Sequence, residues 1–491
     1  MPFAFPVALL DSSMLTLNPS LSRPAWSKAI AQPAREFPLT PLPVLSGKIP
    51  EGLRGSLYRN GPGRLERGGS LAGHWFDGDG AILAVHLTDA GATATYRYVQ
   101  TRGYQKESAA DRFLFPNYGM KVPGPFWKSW GKEVKNAANT SVLALPDKLL
   151  ALWEGGNPHA LDLQTLETWG IDNLSGLHKK DPFSAHPKID PQTGDIFNFG
   201  VIPGVNSRLY LYRSEPKGKI VKKKQATELE GFPLIHDFAI AGQYLVFFVP
   251  PVRVNFPPVA LGLSNFSDSM QWKPELGTQI FIFDRDTFSL VSRGEAEPWY
   301  QWHFTNGYVG GDGSVAVEIV RFRDFQTNQH LKEIATGQTK TPAKGTLWKI
   351  YLNPQTGQPI ETGELLDRGC EFPIVPSHQV GKPWRYTYLS VHRDGVDISQ
   401  EILGAIARYD HKMGNLSIAD MGENCYPSEP IYVSDAFNSE RGWVLSVVYD
   451  GNSDSSEVRI YESDRLEAEP VCRLGLPSVI PPGFHGTWKC A

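Results

Sequence analysis

The chain has 491 residues, 41% of them hydrophobic and 11% aromatic, with 13 Trp and 25 Phe. That composition excludes a disordered chain and can fill a large core. Lysine and arginine number 48 against 52 acidic residues, for a formal net charge of −4, so charge gives no reason to expect nucleic acid as a partner.

The chain starts MPFAFPVALLDSSML, which is apolar but lacks a basic leading region and is broken by Pro2 and Pro6. A signal peptide is not expected. No stretch approaches the roughly 20 apolar residues that a membrane span needs. Cys370, Cys425, Cys472 and Cys490 fit neither CxxC spacing nor a zinc pattern, and suit a reducing compartment as buried thiols. A cytoplasmic protein, at most peripheral at a membrane surface, is the expectation.

Residues 1–45 are rich in Pro and Ser without a clear period, and read as an N-terminal arm with one short helix near Trp26–Ala31. Strand signals dominate after that. In chain order they are Ala94–Tyr98, Leu149–Trp153, Leu209–Tyr212, Tyr244–Val249, Gln279–Phe283, Thr346–Tyr351, Arg385–Val391, Trp443–Tyr449 and Val458–Tyr461. Each is short and rich in β-branched, aromatic or other apolar residues, and many are bounded by turn residues such as Thr88–Gly91. With 47 Gly, 39 Pro and few helical periods, an all-β chain is predicted, as a β-propeller or as two packed sandwiches. No WD or kelch repeat is present, so periodicity sets no blade count.

Two segments differ from plain strand and turn. Phe113–Trp130 is aromatic and carries lysines, and Phe247–Phe266 is apolar and Pro-rich. They are buried loop packing or a lipid-facing patch that admits an apolar substrate.

The chain has 12 histidines, and four sit in defined contexts: His186 in SAHPKID, His236 in IHDFAI, His303 in WHFTNGY and His485 in GFHGTW. Their separations of 50, 67 and 182 residues are unlike a helical metal site. They suit a propeller, where the innermost strand of each blade can send a side chain toward the axis. Taken one at a time, each reads first as a structural residue, a buried neutral imidazole with a hydrogen bond on each nitrogen, and spacing alone does not lift it above that. No GxSxG elbow, P-loop or dinucleotide-binding fingerprint competes with them.

The segments SAHPKIDPQTGDIF, LIHDFAIAGQY, WHFTNGY and PPGFHGTW resemble the four iron-ligand motifs of the carotenoid cleavage oxygenase family, in the same order. GKIPEGLRGSLYRNGPG at 47–63 and HWFDGDGA at 74–81 resemble two further family signatures, with Ala81 in place of the usual Met. The resemblance runs from about Gly47 to Trp488, and within the family it is to the cyanobacterial apocarotenoid oxygenases that the chain is most similar. It implies a seven-bladed β-propeller, over residues 46–491 as one domain, with long loops and short helices capping an axial metal site. It implies one Fe(2+) per chain, bound by His186, His236, His303 and His485. The choice of iron rests on the resemblance, because imidazole also suits zinc and copper.

The resemblance further implies that Glu154, Glu371 and Glu429 accept the far N–H of three of these rings, as metal-bound histidines require. It places Thr140 with its methyl near an open iron position. The partners it implies are O2 and an apolar polyene, with membrane contact as a hypothesis. Trp153, Trp302, Phe238, Phe304 and Phe372 adjoin the metal motifs and are candidates for the tunnel wall. Alternative readings are cleavage of a stilbene, for which Tyr104 and Lys135 are polar partners on offer, a carrier that binds carotenoid without turnover, and a structural propeller without metal.

Overall fold

Short β-branched and aromatic runs satisfy their backbones by pairing with the next run along the chain. The computed structural model describes residues 23–491 apart from Lys180 and Ser439. These residues form seven antiparallel sheets of four or more strands and two short hairpins. The sheets are the blades of a seven-bladed β-propeller.

From the axis outward, the second blade is Ser141–Ala144, Leu149–Leu152, His159–Leu161 and Thr168–Ile171. The third begins at Lys188–Ile189, the fourth at Ala239–Ala241, the fifth at Tyr300–Val309 and the sixth at Cys370–Ile374. In the seventh, Cys425–Pro427 and Ile431–Ser434 both pair with Gly442–Asp450. The first blade is completed from the far end of the chain: Gly486–Cys490 pairs with Gly55–Arg64, with Leu57 opposite Trp488. This closes the ring on the inside. On the outside Val44–Gly47 adds to Cys472–Gly475 of the seventh blade, and Phe37–Pro41 adds to Gly91–Tyr98 of the first. Both ends of the described chain therefore hold the circle shut.

The core lies between blades. Leu57, Leu83 and Val85 of the first blade pack on Leu445, Ile460 and Leu474 of the seventh, none more than 1% exposed. Full burial of one such side chain contributes roughly 1.5–3 kcal/mol, so the seam between first and last blade is as strongly held as a domain core.

The strand segments expected from the sequence are all strands, and the break at Thr88–Gly91 is the turn between Asp79–Thr88 and Gly91–Tyr98. The short helix near Trp26 is a 3-10 helix, Ala25–Ile30. The rest of the expected arm divides between residues 1–22, outside the described residues, and the outer strands just named.

Helices Arg102–Ala110 and Gln326–Ile334, the hairpin of Val252–Val254 with Met270–Trp272, and the segment 113–134 cover one end of the propeller. Phe247–Phe266 divides: Phe247–Val249 ends a buried strand, while Phe256–Ala260 is a short helix on the cap.

Candidate metal centre

Each blade brings one residue to the axis at or beside its innermost strand. His186 and His236 stand just ahead of the third and fourth innermost strands, and His303 lies within the fifth. Glu371 lies within the sixth, Glu429 between the two short strands of the seventh, and His485 just ahead of Gly486–Cys490. Thr140 stands just ahead of the second. The first two separations of the histidines are thus each one blade, and the third, from His303 to His485, spans three.

The four histidines converge so that one nitrogen from each lies within 4.8 Å of the others. None is more than 8% exposed. His303 Nε2 and His485 Nε2 are 3.0 Å apart. Behind them, His303 Nδ1 lies 2.5 Å from Glu371 Oε2, and His485 Nδ1 lies 2.9 Å from Glu429 Oε1. Carboxylates only accept, so both Nδ1 atoms carry the proton and both Nε2 atoms are bare acceptors. Two lone pairs then face each other at hydrogen-bond distance, which a cation on the axis makes favourable. His186 Nε2 is buried without a hydrogen-bond partner, as a ligand nitrogen would be. The donor set therefore fits a metal ion, and these four histidines can hold one.

Glu154 Oε1 lies 3.2 Å from His236 Nδ1 and 3.5 Å from His186 Nε2, without hydrogen-bond geometry to either. Burial, with the nearby Asp237, pushes the Glu154 carboxyl well up. Burial and the neighbouring rings pull His186 and His236 well below the usual imidazole range. Burial also lowers His485, against the pull of Glu429. At His303 burial acts downward, but Glu371 outweighs it and the net direction is up. A cation reverses these burdens, because it holds neutral imidazoles and ionised carboxylates around itself.

Two residues not singled out from the sequence lock this arrangement. Asp237 turns away from the axis and accepts from the Phe304 N–H at 2.9 Å and pairs with Lys188 at 2.8 Å, tying the third, fourth and fifth blades together. Arg59 pairs with Glu429 at 3.2 Å. Asp237 directly follows His236 and Arg59 lies in the motif at 47–63, so a charged residue inside a quoted motif was the available signal.

A cavity of about 920 Å³ opens onto the site. His236, His303, His485, Glu154, Glu371 and Thr140 contribute to its wall, with Trp75, Phe76, Tyr118, Trp153, Trp302, Phe372 and Phe484. The Thr140 hydroxyl is 3.2 Å from Asn139 Oδ1. Of the expected aromatics, Trp153, Trp302 and Phe372 line the cavity. Phe238 and Phe304 do not: Phe238 stacks on Phe247 at 5.0 Å and Phe304 packs on Phe248 at 5.0 Å, between blades. Alternation sends Phe304 away from the axis when His303 points to it. Trp302 reaches the cavity as well because the strand register shifts between Gln301 and Phe304.

The FDGDG motif anchors the cap. Asp77 accepts from the Gly119 N–H at 2.9 Å, and Asp79 pairs with Lys135 at 2.6 Å and with Arg67. Lys135 is therefore committed to this buried cluster, and Tyr104 stacks on Tyr98 at 5.1 Å. Neither lines the cavity.

The family described as retinal pigment epithelial membrane protein matches residues 30–489. Apocarotenoid-15,15'-oxygenase of Synechocystis is 31% identical over 90% of this chain and 92% of its own. Resveratrol cleavage oxygenase 1 of Aspergillus fumigatus is 26% identical over 90% of this chain and 91% of its own. The crystal structure of the cobalt-substituted Synechocystis apocarotenoid oxygenase superposes with a TM-score of 0.86 at 30% identity, covering 95% of this chain and 98% of that one. The chain belongs to the family of the retinal pigment epithelial membrane protein and the carotenoid cleavage oxygenases.

Proposed function

We propose that the protein is a non-haem iron(II) dioxygenase that cleaves a conjugated C=C bond of a carotenoid or apocarotenoid. The two oxygen atoms of O2 end as two carbonyl groups where the double bond was, so the reaction balances without another reductant. The observation that carries the reading is the pair of bare nitrogens of His303 and His485 facing each other at 3.0 Å beside a largely apolar cavity. The Synechocystis relative supports the choice of an apocarotenoid.

In this reading His186, His236, His303 and His485 hold one iron per chain. The iron supplies the binding and reductive activation of dioxygen. Glu371 and Glu429 hold the Nδ1 protons of His303 and His485, which fixes both rings and offsets part of the metal charge. Glu154, whose Oε1 lies 3.2 Å from His236 Nδ1, would serve that ring in the same way. Trp153, Trp302 and Phe372 bind the polyene by burial and stacking and exclude water from the reacting bond. Thr140 keeps its hydroxyl on Asn139 and lines the cavity, where its methyl would limit access to a bound iron.

The cavity mouth supports peripheral membrane contact as the route for a lipid-soluble substrate. Trp127, Trp130, Leu261 and Leu263 are each more than half exposed around it. No described helix is long and apolar enough to cross a membrane.

The test is an anaerobic Fe(II) titration, followed by O2 and an apocarotenal, with polyene absorbance and product masses recorded. Iron-dependent bleaching to two carbonyl fragments is the expected result, and their masses locate the cleaved bond. Stoichiometric iron with no bleaching would transfer the reading to a stilbene substrate or to a carrier, and absence of iron binding would remove the four-histidine site.

A further inference from the structure

The four converging rings are not held alike. Carboxylates fix His303 and His485 through Nδ1, at 2.5 Å and 2.9 Å. The His236 ring has no such bond among the described residues, since Glu154 at 3.2 Å lies outside hydrogen-bond geometry. Its plane is therefore set by packing. Two of the rings around it, His186 at 4.2 Å and His303 at 5.2 Å, belong to the same histidine group. The third is Trp302, whose indole stands nearly perpendicular to the His236 ring, at 83° and 4.9 Å between centroids.

Trp302 is itself tightly placed. It is buried, with Tyr300 at 4.8 Å and Phe76 at 5.5 Å, both edge-on. Its indole N–H donates to Thr327 Oγ1 at 3.0 Å. An indole has one polar atom and that atom only donates, so this bond is the side chain's sole polar tie. Such a tie is not automatic in this protein: the indole N–H groups of Trp75 and Trp299 are buried without a partner among the described residues.

Thr327 offers a fixed acceptor. It is buried in the first turn of helix Gln326–Ile334. Asp324 accepts the Gln326 N–H at 2.8 Å at the start of that helix, which leaves the Thr327 hydroxyl to Trp302. The next residue, Asn328, anchors the same turn. It accepts from the Tyr118 hydroxyl at 2.8 Å and donates to Ser267 Oγ at 2.9 Å. Cap helix, indole and imidazole thus form a chain of direct contacts, from Thr327 to Trp302 to His236.

We propose that Thr327 is a positioning residue of the metal centre: it fixes the Trp302 indole, which in turn fixes the plane of the His236 ring. The role rests on the metal-binding part of the reading above and adds to it a link from the cap to one ligand.

The test titrates Co(II), a coloured ion whose visible bands report ligand geometry, into the full-length protein under nitrogen. Thr327→Val keeps the shape of the side chain and removes the acceptor. It is expected to weaken Co(II) binding about tenfold, the usual effect of losing a residue that orients a ligand, and to shift the visible bands. Thr327→Ser keeps the acceptor and is expected to stay within about twofold of wild type. Trp302→Phe removes the N–H from the other side and is expected to weaken binding to a similar degree. Adding Thr327→Val to Trp302→Phe should then cost nothing more, because the bond is already gone. A merely structural contact would lower the urea midpoint and leave the bands in place.

Wild-type affinity and bands in Thr327→Val overturn the proposal, as do losses that add in the double variant, and both leave the four-histidine site standing. Absence of Co(II) binding in wild type removes the site and the proposal together. The expected pattern without cleavage of any polyene keeps the positioning role and removes only the substrate.

Discussion

Arg59 donates across a buried 3.2 Å ion pair to Glu429, whose carboxylate also accepts from His485 Nδ1 at 2.9 Å and from the Gly486 N–H at 2.8 Å. Arg59 further donates to the Phe484 carbonyl at 2.8 Å, so one guanidinium ties the seventh blade to the strand that closes the ring. Burial alone would raise the Glu429 carboxyl, but His485 and Arg59 outweigh it and hold it below its ordinary value. Arg59→Met leaves that buried charge short of a partner. We expect a loss of about 3–5 kcal/mol in unfolding free energy and a roughly 10–100-fold weaker iron affinity through the misoriented His485 ring. Urea unfolding at pH 7 and an anaerobic iron titration measure the two, and wild-type values in both would show the ion pair to be idle.

The facing nitrogens of His303 and His485 predict that metal and fold are thermodynamically linked. With free Fe(II) at a thousand times its Kd, the folded state gains about 4 kcal/mol. His186→Ala removes one ring whose Nε2 has no protein partner, so the metal-free variant should unfold near the wild-type midpoint yet gain nothing from added metal. Differential scanning calorimetry under nitrogen, with and without Fe(II), checks this. A metal-induced rise that persists in His186→Ala would take that histidine out of the ligand set.

The blades were legible because each strand carries its own short β-branched or aromatic run, as at Tyr244–Val249, and a local signal suffices for a local element. The convergence of the four histidines was legible only through the residues flanking each of them. Spacing could not find it, because blade lengths differ and loops such as 323–345 intervene between strands of one blade. The helices of the cap were not legible. Arg102–Ala110 buries Glu107, and Gln326–Ile334 buries Thr327, Asn328 and His330 beside Ile334, so the buried face of each is mostly polar. Proximity to a ligand in sequence also misled at Phe238 and Phe304, where strand alternation turns the side chain into the core between blades.

Histidine 159 predicts an acid-labile blade. It is 4% exposed on Leu149–Leu152's neighbouring strand, its Nδ1 has no partner, and burial lowers it to about 4. Its folded value lies below the ordinary 6.5, so the unfolded chain binds the proton first. The stability it contributes is complete above pH 6.5 and is lost as the pH falls from there toward 4. Between pH 7.5 and pH 5 this amounts to about 2 kcal/mol. His159→Leu should remove that component, so that urea midpoints at pH 7.5 and 5 differ less in the variant than in wild type. An identical pH dependence would assign the acid lability elsewhere.

The cavity mouth predicts salt-sensitive binding to anionic bilayers. Trp127 and Trp130 are 56% and 54% exposed, and the Trp130 indole donates to the Leu261 carbonyl at 2.7 Å, which joins the two apolar segments into one rim. Exposed Lys121, Lys128 and Lys132 lie on the same segment. Indole rings prefer the headgroup boundary, and each lysine near an anionic surface adds about 1 kcal/mol that salt screens. Wild type should float with phosphatidylglycerol vesicles at low salt and partly release at high salt. Trp127→Ser with Trp130→Ser should not float, because both side chains that enter the boundary are gone. The same variant should cleave detergent-dispersed substrate at the wild-type rate, since neither tryptophan lines the cavity. A wild type that stays at the bottom of the gradient while turning over normally would mean that the rim packs against something other than lipid.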